Sequence, residues 1–178
     1  MGKLEEARPL HEEALQASRE TLGDRHPDTL VSIVNMGLLL QAMGKLKEAW
    51  PLYEEALQAR KETLGDRHED TLVSICNLGD LLKNLGQLEE ARPLLEEAMQ
   101  GERETLGDRH PSTLISINNM GELLHTMGQL KEAMPLYEEA LQGCEETLGD
   151  RHPDTLWSIG LMGQLLSDMG QLEEARPL

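Results

Sequence analysis

The chain contains no phenylalanine, and tryptophan and tyrosine together make up only 2% of its residues. A thick core built around aromatic side chains is therefore excluded. The apolar share is an ordinary 39%, so the core has to come from Leu, Ile, Met and Ala, which suits thin layers of helices. Positive charge is also scarce: 16 Lys and Arg stand against 33 Asp and Glu, a net charge of −17. A chain of that sign is repelled by phosphate backbones and anionic lipids, so neither nucleic acid nor a membrane is an expected partner. No apolar run reaches the roughly 18 residues that a membrane span needs. Glu5, Glu6 and Arg8 interrupt the region where a secretory signal would be apolar. Cys76 and Cys144 are the only cysteines, with no metal-binding spacing and no disulfide framework. A reducing, cytoplasmic setting is the expectation. Gly-rich phosphate loops, a serine elbow and a Cys–His pair are absent as well, so neither a cofactor nor an enzymatic activity is expected.

What the chain does have is repetition. Thr21 opens the run TLGDRHPDTL, which returns as TLGDRHEDTL from Thr63, TLGDRHPSTL from Thr105 and TLGDRHPDTL from Thr147, a period of 42 residues. A fixed period of this size is the mark of a repeat architecture. Within one unit, Gly23 follows a periodic run and fits the position after a helix, where a positive φ is required. Pro27 and Asp28 fit the first turn of the next helix. Leu30, Ile33, Met36, Leu40 and Met43 then recur at spacings of three and four, which predicts an amphipathic helix A over about residues 28–43. Gly44 ends it. Helix B follows over about 46–64, with Ala49, Leu52, Tyr53, Ala56 and Leu57 on its inner side. Pro51 lies inside helix B, as do Pro9, Pro93, Pro135 and Pro177 in the other copies. An interior proline costs about 3 kcal/mol in an isolated helix, so the start of helix B is expected to be bent or loosened. Gly37 and Ala49, with their counterparts, are expected to let the two helices approach closely.

Two helices per unit with short turns predict an all-α solenoid of antiparallel helix pairs. The expected divisions are a lone B helix over 1–22, full repeats at 23–64, 65–106 and 107–148, and a partial repeat at 149–178. The head GKLEEARPL and the tail GQLEEARPL are in phase, which reads as a piece of a longer array without a polar capping helix.

The pattern from Asn35 to Leu57, NMGLLLQAMGKLKEAWPLYEEAL, resembles a tetratricopeptide repeat. The 42-residue form, with TLG…HP between units and EAxPLYEEAL in helix B, is similar to the repeats of kinesin light chains. Glu69 departs from the proline of the other copies, and Leu161 from the asparagine. The resemblance implies a right-handed superhelix whose A helices line a concave groove for extended or helical peptides. It also implies that Asn35, Asn77 and Asn119 hydrogen-bond a peptide backbone.

A comparison of the four copies gives a separate route to a site. Leu30, Ile33, Gly37 and Leu40 have identical counterparts in every A helix, whereas positions 31, 34, 38, 41 and 42 differ, joined by 35 through Leu161. At 100° per residue the differing positions form one stripe roughly 120° wide. The candidate contacts in the first A helix are Val31, Val34, Asn35, Leu38 and Gln41. In the second they are Cys76, Asn77, Asp80 and Lys83. The third supplies Asn118, Asn119, Glu122 and His125, and the fourth supplies Trp157. Such a face is either a solvated surface that has drifted or a groove whose chemistry is set repeat by repeat, and exposed apolar groups on it point to the second.

Other conspicuous residues read as structural. His26, His68, His110 and His152 occur once per repeat and cannot converge on one metal ion, so they are expected as turn or cap residues. Cys144 is expected at a neutral position away from the stripe. Adjacent glutamates such as Glu54 and Glu55 point about 100° apart and form no acid–base pair. The expected function is a protein-interaction scaffold that takes a peptide or helix, basic or mixed in charge, in the groove. The alternative is a structural array that associates head to tail, the first B helix of one copy docking on the last A helix of another.

Overall fold

A computed structural model describes residues 2–170. Among the described residues there are eight α-helices and no strand: α1 (Gly2–Leu22), α2 (Pro27–Ala42), α3 (Leu46–Leu64), α4 (Glu69–Asn84), α5 (Leu88–Leu106), α6 (Pro111–Thr126), α7 (Leu130–Leu148) and α8 (Pro153–Asp168). Helices A and B fall within a residue or two of their expected limits. The expected start of a further B helix at 171–178 lies outside the described residues. The helices group into two compact units, Met1–Gln87 and Leu88–Leu178. Each is a B–A–B–A series. In the first, α1 and α3 both pack on α2, and α3 also packs on α4. In the second, α5 and α7 pack on α6, and α7 also packs on α8.

The repeated motif performs the punctuation its residues suggested. Gly23, Gly65, Gly107 and Gly149 have φ between 85° and 91°, in the left-handed region that glycine alone adopts freely. Each motif histidine then caps the following helix. His26 Nδ1 accepts from the Asp28 amide at 3.2 Å, His68 from Asp70 at 3.2 Å, His110 from Ser112 at 3.3 Å and His152 from Asp154 at 3.3 Å. Imidazole here replaces the serine or aspartate usual at an N-cap, satisfying one orphan amide donor. The motif arginine has a role that the sequence reading did not assign. Arg25 reaches Glu62 of α3 at 2.6 Å, and Arg109 reaches Glu146 of α7 at 3.1 Å. Arg19 grips Glu55 through both carboxylate oxygens at 2.8 and 2.7 Å, and Arg103 pairs with Glu139 at 2.6 Å. These pairs are partly exposed and contribute about 0–1 kcal/mol each. They recur at the same repeat positions, so they favour one register of a B helix on its neighbour.

Proline does not interrupt helix B. The helices α3, α5 and α7 each run 19 residues through Pro51, Pro93 and Pro135, which corrects the expected loosening. Pro51 and Lys47 are both exposed, so the Lys47 carbonyl that loses its amide partner is open to water. The first turn is meanwhile held by the amides of Glu48 and Ala49, which donate to the Lys45 carbonyl at 3.0 and 3.1 Å.

Helices A and B meet closely, with Gly37 against the Tyr53 ring and Ala49 fully buried. A Cβ built on Gly37 would lie 2.6 Å from Tyr53 Cε1, and one on Gly121 would lie 2.6 Å from Tyr137 Cε1. Both tyrosines are at most 1% exposed. Cys144 is also not at a neutral position. It is 1% exposed and joins the core of Leu114, Ile117 and Ala140, while Ser158 Oγ donates to its sulfur at 3.8 Å. Burial pushes its thiol up from the ordinary value. The same position in the other B helices holds Ser18, Arg60 and Glu102, so a buried position that faces the next A helix changes chemistry from copy to copy. Arg60 is 5% exposed there and donates to the Asp70 carbonyl at 3.0 Å and to Ser74 Oγ at 2.8 Å.

Two glycine substitutions separate packing from helix propensity. Gly37→Ala forces the Tyr53 ring to move and is expected to lower stability by about 1–3 kcal/mol. Gly160 lies inside α8, and among the described residues nothing comes within 4 Å of an added Cβ. Gly160→Ala is expected to raise stability by up to about 1 kcal/mol. Urea unfolding of the two variants against the parent chain checks both signs.

Candidate functional site

The candidate stripe falls on α2 and α4 in the first unit and on α6 and α8 in the second. On α2, Val31 is 48% exposed and Leu38 45% exposed, with Asn35 exposed between them. Two apolar side chains and an amide are thus presented to solvent along one face of a helix. Gln41, Asn77, Asp80 and Lys83 are half-buried, as are Asn119, Glu122, His125 and Trp157.

Three of the sequence-derived candidates do not lie on an open surface. Val34, Cys76 and Asn118, which occupy one repeat position, are 8%, 5% and 1% exposed. The second unit gives the reason. Neighbouring A helices lie side by side, and Asn118 Nδ2 donates to Ser158 Oγ across α6 and α8 at 2.7 Å. At this position the Asn118 side chain meets the neighbouring A helix.

The stripe residues of adjacent A helices also hold one another. In the first unit Gln41 Nε2 donates to Asp80 Oδ2 at 2.5 Å, and Tyr53 donates its hydroxyl proton to Gln41 Oε1 at 3.0 Å. Asp80 further receives Lys83 Nζ at 2.7 Å and Asn84 Nδ2 at 3.1 Å. Its charge is therefore compensated within the face. Burial pushes the Tyr53 hydroxyl well above its ordinary value, and the Asp80 carboxylate adds to that push.

The second unit places His125 where the first has Gln41. His125 Nε2 lies 2.7 Å from Asp168 Oδ2 on α8, and its ring stands edge-on to Tyr137 with centroids 6.4 Å apart. Gln164 also donates to Asp168, at 3.2 Å. Gln164 and then His125 hold the Asp168 carboxyl below its ordinary value. The Tyr137 hydroxyl is buried without a hydrogen-bond partner, whereas Tyr53 has one. Burial, with Glu122 second, pushes it up.

Sequence reasoning missed the tyrosines as part of this face, although a signal was present. Tyrosine stands in helix B in the two copies whose A helix ends on Gln41 or His125. Leucine, at Leu95, stands in the copy with Lys83.

Open clefts lie at the A-to-B turns. One of about 310 Å³ is lined by Gly44, Lys45, Leu46, Lys47, Glu48 and Leu85. Another of about 560 Å³ is lined by Gly128–Glu132 with Asp168 and Met169. Among the described residues, no three His, Cys, Asp or Glu side chains converge as metal ligands. None of the described helices is long and apolar enough to cross a membrane.

The family profile of the tetratricopeptide repeat matches residues 1–49, 31–101, 76–146 and 115–178. The chain belongs to the tetratricopeptide-repeat family. Its repeats are of the kinesin-light-chain-like type. A solved structure of a Podosopora anserina kinesin light chain protein with nearly identical TPR-like repeats is 31% identical. It superposes with a TM-score of 0.73, over 99% of this chain and 83% of that one. A point variant of that protein gives 30% identity, a TM-score of 0.76 and the same coverage. BtubC from P. vanneervenii shares the fold at 22% identity and a TM-score of 0.78, over 99% of this chain and 70% of that one. No curated protein matches the chain. Tetratricopeptide repeats of this kind are protein-interaction scaffolds.

The contrast between Gln41 and His125 yields two expected outcomes. His125→Gln gives the Tyr137 hydroxyl an acceptor of the kind Tyr53 has. It is expected to raise stability by about 1 kcal/mol, read from denaturant midpoints. Because the folded value of Asp168 is depressed, the stabilisation it supplies is present above the unfolded carboxyl value and is lost as pH falls through the folded one. A carbon-detected NMR titration is expected to place the Asp168 inflection below that of an unstructured aspartate, and His125→Ala is expected to move it upward.

Proposed function

We propose that the A-helix faces of this tetratricopeptide chain bind an extended or helical peptide segment of a partner protein. The observation that carries this reading is the exposure of Val31 and Leu38 on either side of Asn35, at positions that differ from repeat to repeat. Apolar groups kept at the surface of an otherwise acidic chain favour a docking role over a merely solvated one. Asn35, Asn77 and Asn119 are suited to pair with a peptide backbone, and the differing side chains select its sequence.

The charge of the faces narrows the ligand. Asp80, Glu122 and Asp168 outnumber Lys83, so a basic or mixed peptide fits better than an acidic one. The role is binding and not catalysis, because polar residues of each face are engaged with one another, Gln41 with Asp80 and His125 with Asp168.

A second reading is end-to-end association of copies of this chain. It is favoured by the open face of α1, which has no buried residue. Ala14 is exposed on it, whereas Ala56, Ala98 and Ala140 at the same repeat position are 0% exposed.

Amide shifts of residues 34–42, 76–84 and 118–126 should move on titration with lysine- and arginine-bearing peptides. Charge reversal at Asp80 and Glu122 is expected to weaken that binding by about three- to tenfold. Unmoved amides across a diverse peptide set would remove the groove reading. A light-scattering mass that rises with concentration tests the second.

A further inference from the structure

Each unit sets a polar residue near the end of an A helix between a carboxylate of the neighbouring A helix and a tyrosine of helix B. In the first unit Gln41 closes both contacts at once. It accepts from the Tyr53 hydroxyl at 3.0 Å and donates to Asp80 at 2.5 Å. In the second unit His125 makes only one of them. Its Nε2 lies 2.7 Å from Asp168, and its ring stands edge-on to Tyr137. The Tyr137 side chain is 0% exposed, and its hydroxyl has no hydrogen-bond partner among the described residues. Leaving a buried hydroxyl in that state is costly. It lies beside the candidate face, close enough to Glu122 for that carboxylate to act on it. The remaining copy shows what such a position takes when the chain supplies a cation. Lys83 stands at the position of Gln41 and His125 and sets its ammonium 2.7 Å from Asp80, and in that copy helix B carries Leu95 where the others have tyrosine.

We infer that Tyr137 and Asp168 of the second unit form a subsite for one cationic side chain of the peptide, an ammonium or a guanidinium, and that His125 holds the place until the ligand displaces it. This rests on the groove reading above and adds to it a position, a chemical class and a dependence on pH. The incoming N–H groups donate to the Tyr137 oxygen and to the Asp168 carboxylate, two acceptors that His125 does not serve together. Competition with His125 gives the pH dependence its sign. Protonated imidazole holds Asp168 by a charge-assisted bond and repels a second cation. Affinity therefore falls as pH is lowered through the range in which histidine gains its proton. Asp168 is held below its ordinary value, by Gln164 and then by His125, so it stays charged over that range. Among the described residues, the titratable groups around His125 are Asp168 from α8, Tyr137 from α7 and Glu122 one turn earlier on its own helix. On α5, Arg92 is engaged by Gln129 and Met127 at the following turn.

The full chain is titrated with capped peptides that bear lysine or arginine, and with counterparts in which norleucine or citrulline replaces the charged residue. Basic peptides are expected to move the NMR signals of the His125 and Tyr137 rings, and their uncharged counterparts to bind about tenfold more weakly. Between about pH 8 and pH 5.5 the affinity of the parent chain for the basic peptides is expected to fall about tenfold. His125→Gln installs the residue that serves both partners in the first unit. It is expected to weaken binding at the higher pH and to leave less than about a twofold difference between the two pH values, while its denaturant midpoint shows that the fold is kept. If no peptide of the set binds, the groove reading fails, and this inference with it. If peptides bind and move the amides of α2 but leave the His125 and Tyr137 rings unmoved, the groove reading stands and the subsite is overturned. Equal affinity for charged and uncharged peptides, or the same pH dependence in His125→Gln as in the parent, overturns it as well.

Discussion

A tyrosine ring laid against bare backbone is the contact on which this architecture turns. Tyr53 is too large to be covered if helices A and B stand at the separation that ordinary side chains require. Gly37 removes the one Cβ in its way, and the ring closes the pair with essentially no exposed surface. That close approach brings Ala49 and Ala56 to 0% exposure beside it. It also explains how helix B tolerates an interior proline. The buried side is held by packing, while Pro51 and the carbonyl it leaves unpaired lie on the watered side.

The same packing decides what each A helix can offer a partner. One face goes to helix B and one flank to the neighbouring A helix, which leaves a narrow strip for solvent. On that strip, polar side chains are drawn into pairs between adjacent helices. Gln41 links Tyr53 to Asp80, and His125 links α6 to Asp168. A face built in this way is ordered in itself, and the proposed peptide binding would lose less entropy for it. The apolar side chains on α2 have no such internal use.

The helices, their order and nearly all of their limits could be read from spacing alone. Period, turn glycines and apolar rows each report a local constraint, and the structure meets those constraints one repeat at a time. Side-chain roles were less legible. The histidines were recognisable as cap residues because the cap is a contact two residues long. The partner of the motif arginine was not, since it belongs to another helix.

Chain order and amphipathic phase therefore settle that this is an array of A and B helices, and that its copies differ along one stripe. They could not settle which stripe residues see solvent. Val34, Cys76 and Asn118 satisfy the same angular test as Leu38, yet they are buried. A helical wheel records direction around one axis and carries no information on the helix beside it. The fate of Cys144 follows the same logic: a variable position in sequence is a core position once the next A helix is in place. Exposure is a property of neighbours, and in a repeat protein those neighbours come from the next copy of the unit.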